Sequence, residues 1–233
     1  MRPWLEDTHG NAAALHRHGL KAREALDTAA AQCAALIGAP KDDLVFTGSG
    51  TEANNLAVKG VAEAQRERGT HLVLSNIEHP SIEQSVVWLE QHGFTATRVP
   101  VDGEGRLSPA AVAEAVTGQT ILIATHHANH DLGTVQDLAA LSALAGERGI
   151  PLLVDATASG GWLPVDVAAI PISLLSRAPH RFGGPQGVGL LYRNPRVPLA
   201  PQVHGGAQQG GLRAGTENLA AIIGAGAAAA LPA

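Results

Sequence analysis

Apolar positions along this chain fall into short blocks with two alternating spacings. Residues 12–37 place Ala22, Leu26, Ala29, Cys33 and Leu36 on one face of a 3.6-residue repeat, which predicts a helix. LVFT (44–47) is a continuous apolar run too short for a helix and predicts a buried strand. GSGTE then leads into a helix over 52–69. Further strands are predicted at 71–75, 94–101, 121–126, 151–155, 172–176 and 188–193. Helices are predicted between and after them at 80–93, 108–116, 137–149 and 216–230. Pro80 suits the first turn of its helix, where no backbone N–H is needed.

Strands that are apolar throughout, with helices between them, imply an α/β fold: a mostly parallel sheet with helices on both faces. Ligands of such sheets collect at the carboxyl ends of the strands. Several polar residues lie there. Gly50-Thr51-Glu52 follows strand 44–47, and His79 follows strand 71–75. Asp155 ends strand 151–155, and His180-Arg181 follows strand 172–176. No internal repeat or linker divides the chain, so residues 1–233 read as a single domain.

Composition narrows the function classes. Hydrophobic residues make up 45% of the 233, enough to build a core, while aromatics are only 3%, so Ala, Leu, Val and Ile must fill it. The net charge of −5 is mild and has no basic stripe, which argues against a nucleic-acid partner. The charged start MRPWLEDTHG has no apolar signal-peptide core. The run AAIIGAGAAAALPA is shorter than the roughly 20 residues a membrane span needs. A cytoplasmic protein without membrane contact is expected. Cys33 stands alone in a helical apolar pattern and reads as a small core residue. His126, His127 and His130 fall at no recognised ligand spacing, and no metal site is expected.

The polar residues at the strand ends admit two readings each. Gly50 and Thr51 could form a phosphate cradle at a helix N-terminus, or Thr51 could be an ordinary N-cap. Asp155 could pair with a protonated ring nitrogen, or it could accept hydrogen bonds within the fold. His79 could stack on a flat ring or move a proton, or it could simply be solvated.

Taken in order, the blocks resemble the cysteine desulfurases of the class-V aminotransferase group, fold-type I enzymes that use pyridoxal phosphate. GNAAALHRHG (10–19) resembles the family's GNPSSxHxxG, and VFTGSGTEANNLAVKG (45–60) its FTSGATEANNLAIKG. EHPS, NHDLGTVQD, VDATAS, HRFGGPQGVG and QVHGGAQQGGLRAGTEN (202–218) follow in the family's order. The resemblance implies the large, cofactor-binding domain of that fold. It implies that Gly50 and Thr51 hold the cofactor phosphate with His180 beside it, that His79 stacks on the ring, and that Asp155 pairs with the ring nitrogen. Thr216 would reach the phosphate of a second subunit's cofactor, which implies a homodimer.

The departures carry equal weight. Arg181 stands where the family has its Schiff-base lysine. A guanidinium stays protonated and its nitrogens are delocalised, so it does not replace an amine. The chain's lysines are Lys21, Lys41 and Lys59. Ala158, Ala178 and His130 replace a family glutamine, serine and asparagine near the cofactor. The blocks leave no counterpart for the family's first strand, for its small C-terminal domain or for its nucleophilic cysteine. The expectation is a catalytically inactive desulfurase-like protein, with pyridoxal phosphate held non-covalently or absent. It would pair with itself or with an intact desulfurase, and serve a sulfur-carrier or iron–sulfur scaffold protein. The alternative is a pyridoxal-phosphate enzyme with residual activity on non-covalently held cofactor.

Overall fold

The apolar runs do form the sheet. The computed structural model describes residues 1–231. Its strands are β1 (Leu44–Thr47), β2 (His71–Ser75), β3 (Thr95–Val99), β4 (Thr120–His126), β5 (Leu152–Asp155), β6 (Leu174–Arg177) and β7 (Gly189–Arg193). Its helices are α1 (Arg2–Glu6), α2 (Arg17–Ala35), α3 (Gly50–Ala64), α4 (Pro80–Glu90), α5 (Pro109–Ala115), α6 (Leu138–Arg148) and α7 (Leu219–Ala229).

The seven strands form one sheet in the order β1-β7-β6-β5-β4-β2-β3. The pairs from β3 to β6 are parallel, and β7 runs antiparallel to both β6 and β1. Alternate side chains of the central strands enter two separate cores. Val73, Ile123, Leu152, Val154 and Leu175 pack with Leu26, Cys33, Leu141 and Ile222 on one face. Leu72, Leu74, Leu122, Leu153 and Leu174 pack with Leu56, Val61, Ile82 and Val86 on the other. Both faces are covered, which is why these strands read as apolar throughout. Cys33 is a core residue, and burial pushes its thiol up to about 12. No helix among the described residues is long and apolar enough to cross a membrane.

Element boundaries differ from the sequence reading where caps decide them. Helix α2 begins at Arg17 rather than residue 12, because the His16 side chain accepts the Gly19 N–H at 3.2 Å. Helix α7 begins at Leu219 rather than Thr216, because Asn218 accepts the Ala221 N–H. Strand β6 starts two residues later than expected and runs on through Arg177. Helix α1 has no buried residue, and so no amphipathic signal announced it.

Strand β1 lies at one edge of the sheet. Its Phe46 N–H donates to the side-chain oxygen of Gln209 at 2.9 Å. Gln209 has a φ of 51°, and it is the one non-glycine residue with a positive φ among those described. At the opposite side of β1, Gly189 opens β7 directly beneath the turn that leads into α3. A Cβ there would sit 2.2 Å from the carbonyl of Ser49. Gly189→Ala is therefore expected to destabilise the fold by about 1–3 kcal/mol through overpacking, read as a lower urea midpoint. An unchanged midpoint would show that the turn yields freely.

Candidate functional site

The carboxyl ends of β1, β2, β5 and β6 meet around one cavity of 140 Å³. Ser49, Gly50 and Thr51 line it from the first turn of α3, His79 and Ser81 from the start of α4, and Ala178, His180 and Arg181 from the segment after β6. Five residues expected from sequence thus converge: Gly50, Thr51, His79, His180 and Arg181. Two do not line the cavity. Asp155 is buried against its floor, and Thr216 is exposed in the loop before α7.

The α3 turn is built as a fixed cradle. Ser49, not Thr51, is the N-cap, and its hydroxyl accepts the Glu52 N–H at 3.1 Å. The N-cap alternative for Thr51 is thereby corrected. The chain turns one residue pair earlier than the glycine pattern suggested, which leaves the Thr51 hydroxyl for the cavity. Glu52 reaches back to the Gly48 N–H at 2.7 Å and also receives Arg213 Nε at 2.8 Å. At the first helical positions, Gly50 and Thr51, an N–H has no partner within the helix, and the helix dipole adds positive potential. With the Arg181 guanidinium and the His180 imidazole on the opposite wall, the cavity favours an anion. Gly50 also permits close approach, since a Cβ there would lie 2.8 Å from Thr157 Cγ2.

Asp155 is held by four donors. Its Oδ1 accepts from the Thr157 N–H at 2.9 Å, the Thr157 hydroxyl at 2.6 Å and the Ser176 hydroxyl at 3.3 Å. Its Oδ2 accepts from Asn54 Nδ2 at 2.8 Å. The same Asn54 amide donates to Ser81 Oγ at 2.8 Å, and Ser81 Oγ lies 2.8 Å from His79 Nδ1. A continuous polar chain therefore links the buried carboxylate to the histidine at the cavity rim. Asn54, Ser81, Thr157 and Ser176 were not anticipated. Asn54 and Ser81 fall one helical turn into α3 and at the first turn of α4, a placement that only the fold reveals. Asn54 Oδ1 is buried with no hydrogen-bond partner among the described residues.

His79 caps α4: its Nδ1 accepts the Ser81 N–H at 3.1 Å. Both contacts of the ring through Nδ1 are thus made to Ser81. His130 packs edge-on against His79, ring centroids 5.0 Å apart. The neighbouring histidines are bonded away from this cavity. His126 Nδ1 meets Glu78 Oε1 at 2.9 Å, and that oxygen also accepts from the Ser75 hydroxyl. His127 Nδ1 meets Ser159 Oγ at 2.9 Å.

The three lysines lie elsewhere. Lys59 Nζ sits 4.9 Å over the Trp88 ring, and Lys21 Nζ 6.0 Å over Trp4. Lys41 Nζ approaches Asp27 at 3.8 Å. None lines the cavity.

Comparison with known proteins places this geometry among relatives. The aminotransferase class-V family model matches residues 1–232. The chain is similar to cysteine desulfurase IscS of Dictyoglomus turgidum, 41% identical over 228 residues, spanning 98% of this chain and 58% of that protein. It is 38% identical over 231 residues to cysteine desulfurase IscS of Methanosarcina thermophila, spanning 99% of this chain and 57% of that protein. Among solved structures, one described as SspA in complex with cysteine matches with a TM-score of 0.95 at 38% identity, covering 98% of this chain and 66% of that chain. A structure described as a NifS-like protein matches with a TM-score of 0.95 at 29% identity, covering 98% and 63%. The chain thus spans less than two thirds of the length of each of these relatives.

Burial of His127 gives the fold a pH response. Burial first, then the Arg177 charge and His126, hold its pKa down at about 4, below the usual 6.5. Between those values the unfolded chain takes up a proton that the folded chain refuses, so stability falls as the pH drops through that window and is full above it. His127→Gln is expected to flatten the fall of the urea midpoint between pH 6.5 and pH 4. An unchanged slope would assign the response to other groups.

Proposed function

The chain belongs to the aminotransferase class-V family, and on that premise we propose that it is a cysteine desulfurase-like protein without desulfurase activity. The observation that carries this reading is the cavity lining, which contains Arg181 and no lysine. The family's group is pyridoxal phosphate, and the residues present fit one part of it. The α3 cradle, the Thr51 hydroxyl, His180 and Arg181 suit its phosphate. His79 presents a ring at the rim, and Asp155 lies beneath the floor. When bound, the group supplies an electron sink for charge developing beside a substrate amine.

The chain's own groups do not complete the chemistry. A guanidinium whose lone pairs are delocalised neither tethers the cofactor nor takes up a proton at neutral pH. His79 does not stand in for the missing base. Its Nδ1 is committed to the α4 cap and to Ser81 Oγ. The residual-activity alternative needs a free base at this rim, and the capping geometry speaks against one. What the cavity offers is anion binding. The role that follows is that of a binding partner, paired with a second copy or an intact desulfurase, in sulfur transfer or iron–sulfur assembly.

The test is chemical. Purified protein is mixed with pyridoxal phosphate, reduced with borohydride and mapped by mass spectrometry. The expected result is reversible binding, competed by inorganic phosphate, with no label on Lys21, Lys41 or Lys59. Arg181→Lys is expected to bring a label to position 181. A labelled lysine in the unsubstituted protein, followed by sulfide release from free cysteine, would overturn the reading.

A further inference from the structure

A second cationic group lies on the opposite face of the sheet. Arg177 ends β6, and strand alternation turns it away from the cavity that Ser176 faces through Asp155. It is only 2% exposed. Its Nε and Nη2 are both buried, and neither has a hydrogen-bond partner among the described residues. No ion pair among the described residues includes it. Burial pulls its pKa down to about 10, so it stays charged at neutral pH.

The two orphaned nitrogens matter because of their positions. Nε–H and Nη2–H form the side-on edge of a guanidinium, two parallel donors spaced to match two oxygens of one anion. The register supplies its neighbours. Asp155 pairs with both His126 and Ser176, so the next row across the sheet reads His127, Ala156, Arg177. His127 and Arg177 stand two strands apart, roughly 9.6 Å, with Ala156 between them in the row. Ser159 Oγ holds the His127 ring from the same loop, which continues through Gly160 and Gly161. This buried charge, with an unused bidentate edge and the His127 ring and Ser159 hydroxyl near by, has no counterion among the described residues, and the Ser159 hydroxyl also reaches the Ala156 carbonyl at 3.3 Å.

From this arrangement we infer that Arg177, with His127 and Ser159, forms a binding site for a small oxyanion, separate from the cavity at α3. The site does not depend on the proposed function. The class-V cavity uses Arg181 and the other face of β6.

Inorganic sulfate is the probe, titrated at constant ionic strength while the thermal midpoint is followed. Sulfate also stabilises proteins weakly by exclusion from their surface, so the diagnostic is saturation. Arg181→Ala disarms the α3 cavity and is expected to leave a saturable rise in the midpoint. Adding Arg177→Leu to that variant is expected to abolish the saturable part. Arg177→Lys keeps the charge without the fork and should weaken sulfate by at least about tenfold. It also covers the case in which the leucine variant fails to fold. No saturable rise in Arg181→Ala, or one that survives replacement of Arg177, would overturn the inference. Loss of the α3 site shows up separately, as failure of phosphate to compete with pyridoxal phosphate in an Arg177→Leu protein.

Discussion

The carboxylate of Asp155 organises the cavity. It ends the central strand β5, where a bare charge would be costly, and it recruits donors from three parts of the fold. Thr157 comes from its own loop, Ser176 from β6 and Asn54 from α3. Through Asn54 and Ser81 the same network reaches His79. Each of these side chains holds a neighbouring element in register with β5. The result is a floor tied together by side-chain hydrogen bonds. A carboxylate already satisfied by four donors needs no cofactor to justify its burial.

The cradle above that floor is held just as firmly from another direction. Glu52 takes the Gly48 N–H and the Arg213 guanidinium together, which ties the turn before α3 to the segment carrying RAGTEN. With Arg213 and Glu52 both under a third exposed, at 23% and 28%, the pair is shielded from much of the solvent screening that weakens surface bridges. The turn is thus tied down on both sides, and the wall it faces carries Ala178 and Arg181, where the resemblance predicts a serine and a lysine.

Much of this was legible in the sequence. Continuous apolar runs at 71–75, 121–126 and 151–155 announced strands buried on both faces, and the polar residues that follow strands did converge. The helix starts were less legible, because they depend on which side chain reaches a free N–H. Ser49 caps α3 where Thr51 reads equally well, and His16 and Asn218 set starts that the apolar pattern places earlier. Asn54 and Ser81 were invisible as site residues, since nothing in their local pattern marks a contact 27 residues apart in the chain. Arg177 was read past for the opposite reason. An arginine following a strand normally signals its solvent end, whereas here the strand continues through it into the interior.

The closure of β1 by Gln209 has a consequence for how the molecule meets others. A bare strand margin offers a row of unpaired peptide groups to any extended segment that drifts by. Here an amide side chain imitates the missing neighbour and occupies one of those groups, and its residue tolerates an αL backbone conformation to do so. The polypeptide thereby gives up a little conformational comfort for selectivity: recruitment by strand addition at this border must first evict a built-in mimic.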